Sequence, residues 1–165
     1  MIAILLNDAS FEQDIRELLM AFYPGETFTH KEEEAGEADL IVRGVRAGNS
    51  FSLDVTPVKK EAVHFALIYP DFSNRFETKN EIKQTLYRLL SAQTGRELPW
   101  GTLTGIRPTK IALTKLYDGW TDEQIETYMR ETYFTSKEKI DLSIDVAERE
   151  RRLLSTIDYE NGYSL

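Results

Sequence analysis

The sequence predicts an α+β fold: a small, mainly antiparallel sheet in the order β-α-β-β-β-α with helices on one face, then a three-helix C-terminal part. Three observations carry this. Short apolar or alternating runs are interleaved with stripes of helical period up to Gly95. After residues 98–110 only the helical period remains. Those thirteen residues hold two of the five prolines, two of the nine glycines and one of the two tryptophans, the composition of a boundary. The expected sub-domains are 1–97 and 98–165.

The first element is the apolar run Ile2-Ala3-Ile4-Leu5-Leu6, which reads as a buried strand. Ser10-Phe11-Glu12-Gln13 has capping-box spacing and opens a helix with Ile15, Leu18, Leu19 and Phe22 on one stripe, stopped by Pro24-Gly25. Thr27-Phe28-Thr29-His30 suits a short strand, and residues 31–37 an acid-rich loop. Leu40-Ile41-Val42 with Val45 and the alternating Phe51-Ser52-Leu53-Asp54-Val55 form a hairpin, turned at Ala47-Gly48-Asn49-Ser50. Residues 62–69 read as a strand ending before Pro70, with helix as the competing assignment. The next helix carries Ile82, Leu86, Leu89 and Leu90; Thr78-Lys79-Asn80-Glu81 has capping spacing, although a start near Ser73 is also compatible. Gly95 ends it.

Beyond the boundary, residues 111–117 form a helix closed by Asp118-Gly119, and Thr121-Asp122-Glu123-Gln124 caps the next, with Ile125, Tyr128 and Met129 inward. Ser136 opens the last. Ile140, Ile144 and Ala147 line one face and Leu142, Val146 and Leu153 another, as if it touched two neighbours.

Composition bounds the function. With 165 residues, 41% hydrophobic and 29% charged, the chain can build a real core and is not disordered. The net charge of −8 divides as −5 over residues 1–97 (11 basic, 16 acidic) and −3 over 98–165 (9 basic, 12 acidic), so neither half has the basic field that nucleic-acid binding needs. No cysteine is present, which excludes disulfides, thiolate metal sites, a cysteine nucleophile and a ligated iron–sulfur cluster in this chain. The N-terminal apolar run is too short to span a membrane and lacks the basic flank of a signal, so the cytoplasm is the default location.

Physical reading of the boundary gives one candidate site. Arg107 precedes Pro108 and is biased away from helical angles, while Pro108 suits a first helical turn. Gly105, Arg107, Thr109 and Lys110 would then surround a helix N-terminus whose free amides and dipole attract a carboxylate or phosphate. The competing account is a turn in which Arg107 salt-bridges an acid of its own chain. Pro99 and Trp100 are candidates for an interface, or for packing of a loop on the core. His30 and His64 lie on separate elements, and Glu32, Glu33, Glu34 and Glu37 lack calcium-loop spacing; neither set makes a metal site. No phosphate loop, nucleophile elbow or zinc-protease motif occurs. The chain alone is not equipped as an enzyme.

Leu98-Pro99-Trp100-Gly101-Thr102-Leu103-Thr104-Gly105-Ile106-Arg107-Pro108-Thr109-Lys110 resembles a segment of the HemZ-type oxygen-independent coproporphyrinogen III oxidases, or coproporphyrinogen dehydrogenases, of the radical SAM superfamily. Leu86-Tyr87-Arg88-Leu89-Leu90, Thr94-Gly95 and residues 133–140 resemble the flanks of that segment. The resemblance implies the N-terminal fragment of a haem-biosynthetic oxidoreductase, with Tyr163-Ser164-Leu165 leading toward a radical SAM barrel. The four-iron four-sulfur cluster and S-adenosylmethionine would belong to that barrel, and no catalytic residue carries over to a position here. The implied role is an accessory domain docking on the barrel, with Arg107 and Lys110 meeting barrel or tetrapyrrole carboxylates. The alternative is a module recruiting a haem-pathway partner or an electron donor.

Overall fold

The computed structural model describes residues 1–59, 63–105 and 107–157. Two compact units divide between Leu98 and Pro99. The first is an α+β unit with the strands β1 (Ile2–Leu6), β2 (Phe28–Thr29), β3 (Leu40–Ala47), β4 (Ser50–Pro57) and β5 (His64–Ile68). They lie in the order β2-β1-β3-β4-β5. The helices α1 (Glu12–Phe22) and α2 (Arg75–Thr94) complete it.

The expected meander accounts for β3, β4 and β5, which pair antiparallel. The other half of the sheet differs from a mainly antiparallel one: β1 pairs parallel with both β2 and β3. Parallel neighbours need crossovers, and the chain supplies two. The first is α1. The second is a 3-10 segment, Glu32–Glu37, which was expected as loop.

That segment explains why β1 is buried on both sides. Ile2 and Ile4 share a face with Leu40 and Val42, their β3 partners, and with Phe51, Leu53 and Val55 of β4. Ala3 and Leu5 point the other way and pack with Ala35 and Ala38. A strand covered twice reads as a continuous apolar run, as residues 2–6 do.

Side-chain caps move two helix starts. Ser10 does not cap α1; Asp8 accepts from the Ser10 amide and opens a 3-10 turn, Ala9–Phe11, that feeds the helix. Asn74 caps α2 by accepting from the Glu77 amide, so Thr78 lies inside the helix, where its hydroxyl donates to the Asp71 carbonyl. Gly95 does close α2, at φ +69°. Of the expected strand 62–69, His64–Ile68 form β5; Ala62, part of the same expectation, lies outside the described residues, as do Tyr163, Ser164 and Leu165.

The second unit contains α3 (Lys110–Tyr117), α4 (Asp122–Tyr133) and α5 (Lys137–Ser155). Thr121 and Gln124 form the expected capping box, and Ser136 caps α5. Ala112, Leu116, Ile125, Met129, Ile140, Ile144 and Ala147 build its core. Only one of the two apolar faces of α5 is buried: Leu142 and Leu153 are exposed.

Candidate functional site

The boundary stretch splits into two halves with different duties. In the first, Gly101 takes φ +60°, and the Thr102 amide donates to the Tyr133 carbonyl at 2.7 Å. The Ser136 amide donates to the Pro99 carbonyl at 2.9 Å, and the Thr135 hydroxyl donates to the Trp100 carbonyl at 3.4 Å. Residues 99–102 are thereby stapled along the α4–α5 connection. That connection can accept them because Phe134 ends α4 in the left-handed region, at φ 58°. Trp100 is half-buried, with the Lys139 ammonium 5.6 Å from its ring centroid.

The second half leads into α3. Gly105 is exposed, lacks a left-handed φ, and has open space where a Cβ would stand, so nothing steric requires glycine there. Ile106 lies outside the described residues. Pro108 sits in the turn before the helix, and Thr109 is the N-cap with helical angles and no side-chain cap bond. The Lys110 amide turns back to the Arg107 carbonyl at 3.1 Å, leaving the amides of Ile111 and Ala112 among those that α3 itself does not use. The Arg107 guanidinium donates to Glu150 of α5 at 2.9 Å. Lys110 is exposed and makes no ion pair among the described residues. Gly105, Arg107, Thr109 and Lys110 thus line one helix entrance whose arginine already holds a carboxylate of its own chain.

A second polar feature was not legible in the sequence because three separate stretches build it. A cleft of about 280 Å³ opens at the ends of β1 and β3, lined by Asn7, His30, Glu32, Arg43 and neighbouring backbone. Arg43 grips Glu32 with both terminal nitrogens, at 2.8 and 3.2 Å. His30 Nε2 lies 2.8 Å from Glu12 Oε1. Asn7 donates to the Arg46 carbonyl and accepts from the Arg46 amide, tying the two strand ends together. Among the described residues no group of three His, Cys, Asp or Glu side chains could hold a metal ion. His64 lies on β5 and does not line this cleft.

Asp8 closes one end of this region. Hydrogen bonds from the Ser10 hydroxyl and amide, then from Arg46, hold its carboxyl down to about 2. An unfolded aspartate titrates near pH ~3.9, so the stabilisation is complete above that pH and is lost as the pH falls toward the folded value. Asp8→Asn is expected to cost about 1 kcal/mol at neutral pH, and most of that difference should vanish at pH ~2. Urea midpoints of both proteins at the two pH values check this; an equal deficit at both would refute it.

The described residues form an α+β unit and a helical unit whose charged clusters are largely answered from within. Among the described residues no helix is long and apolar enough to cross a membrane. The chain is 35% identical over 98 residues to the oxygen-independent coproporphyrinogen-III oxidase-like protein HemZ of Bacillus subtilis. The match covers 58% of this chain and 19% of HemZ, so it spans about a fifth of that relative's length. This is the kind of protein that the stretch from Leu98 to Lys110 resembles. No family model matches the chain, and no solved structure matches it.

Proposed function

We propose that the chain is a non-catalytic accessory module of a coproporphyrinogen oxidase-like enzyme of haem biosynthesis, working in the cytoplasm and docking on a radical SAM catalytic domain. The single observation that carries this reading is the 35% identity to HemZ. On this reading the iron–sulfur cluster and S-adenosylmethionine belong to the catalytic domain, and this chain supplies contacts. The α3 entrance is the contact suited to carboxylates, from that domain or from a tetrapyrrole. Lys110 is available there, the first-turn amides point outward, and Arg107 can exchange Glu150 for an incoming carboxylate.

Binding of coproporphyrin, followed by absorbance, tests the site. Arg107→Ala with Lys110→Ala is expected to weaken binding about tenfold or more, since two cationic donors are lost. Glu150→Gln is expected to tighten it by freeing the guanidinium. Absence of binding, or an unchanged double variant, would eliminate the tetrapyrrole role. Co-purification with the separately expressed catalytic domain tests docking, and failure to associate would remove the accessory role itself.

A further inference from the structure

We infer that the outer edge of β5 is a self-association surface, on which a second copy of this chain adds its own β5 antiparallel and extends the sheet across a two-fold axis. β5 ends the strand order, and no described residue pairs with its outer edge. One row of side chains on it and its flanks is both apolar and exposed: Val63 at 58%, Phe65 at 62%, Leu67 at 47% and Tyr69 at 71%. These stand on the face away from α2, because Ala66 and His64 are the residues that pair with the buried Leu53 and Val55.

Edge strands that stay monomeric carry protection: an inward charge, a lysine, a proline or a bulge. β5 has none. In a chain that is 29% charged, residues 63–69 contain no Asp, Glu, Lys or Arg, and Pro70 comes only after the strand.

The occupant is set by self-complementarity. Val63-His64-Phe65-Ala66-Leu67-Ile68-Tyr69 is nearly symmetric in character about Ala66. Antiparallel pairing centred there sets Phe65 against Leu67 of the other copy, Val63 against Tyr69 and His64 against Ile68. Every exposed apolar side chain then meets an apolar one, no like charges oppose each other, and the patch is the same on both subunits, as a two-fold interface requires. A partner strand of different sequence would need no such symmetry. Seven paired residues make an interface below standard size, so the dimer is weak and concentration-dependent. The inference stands on the sheet alone and is independent of the enzymatic reading.

Sedimentation velocity of the whole chain from about 10 to about 500 µM tests it, a range in which small interfaces form. The mass should rise from 19.0 kDa toward twice that value. Phe65→Lys and Leu67→Glu should each weaken association about tenfold or more, by setting a charge against an apolar partner. The Phe65→Lys/Leu67→Glu double variant should regain the dimer, because each lysine then faces a glutamate across the axis. Both positions are exposed, so circular dichroism should show all variants folded. A chain that stays monomeric throughout overturns the proposal. So does a dimer indifferent to both single substitutions, or a double variant that is not rescued.

Discussion

Gly101→Ala is expected to destabilise the helical unit by about 3 kcal/mol or more. Two costs combine. A non-glycine residue held in the left-handed region loses roughly 1–2 kcal/mol, and Gly101 sits at φ +60°. A Cβ there would also fall onto the Tyr133 carbonyl oxygen and within 2.6 Å of the Phe134 carbonyl. Both obstacles are backbone, pinned by the Thr102 bond to Tyr133 and the Ser136 bond to Pro99, so neither can rotate aside. Overpacking that side chains can absorb costs about 1–3 kcal/mol, and backbone overlap lies at the upper end. Gly105→Ala, four residues on in the same stretch, is the matched control. It has open space and no left-handed φ, so it should stay within about 0.5 kcal/mol of the parent. Thermal unfolding by circular dichroism separates the two; equal stability of both variants would contradict the stapled loop.

The second large effect is expected in the sheet unit, where Phe51→Ala should cost about 3–5 kcal/mol. Phe51 is fully buried, and its ring meets that of Phe11 edge-on with centroids 6.2 Å apart. It also fills the space that Gly44 leaves on β3, where an added Cβ would lie 3.0 Å from the Phe51 ring and 2.6 Å from Leu6. The two positions are therefore coupled. Gly44→Ala should be destabilising in the parent and less so when Phe51→Leu has removed the ring. A urea-unfolding double-mutant cycle reads this, with the coupling expected at about 0.5–3 kcal/mol. Strict additivity would mean that Gly44 and Phe51 do not share one packing space.

Local signals in the sequence match the structure where one residue and its near neighbours decide the outcome. Gly95 closes α2, Thr121 with Gln124 caps α4, and the hairpin between β3 and β4 turns at Gly48-Asn49. Capping spacing alone misleads at Ser10, because Asp8, two residues earlier, takes the cap; for α2 the Asn74 cap selects the alternative start near Ser73 over Thr78. Likewise the stripe of Leu142, Val146 and Leu153 reads as a second face in contact with a neighbour, yet Leu142 and Leu153 are exposed and Val146 is half-buried: periodicity records that a face is apolar, not that a partner covers it.

The candidate site divides in the same way. Residues 98–110 advertise a loop feeding a helix. That Arg107 meets Glu150, forty-three positions away, has no local signature. Neither has the cleft that joins Asn7, His30, Glu32 and Arg43. By itself, then, the sequence determined the α+β class, the helical second half, the element periods and most turns, since these follow from spacing and backbone preference within a few residues. Tertiary structure alone decided the parallel pairing of β1, the 3-10 cover over Ala3 and Leu5, the glycine-only fit of Gly101 against Tyr133 and the bare edge of β5. Each of these depends on which distant segments meet, and many pairings satisfy the same local pattern until packing selects one.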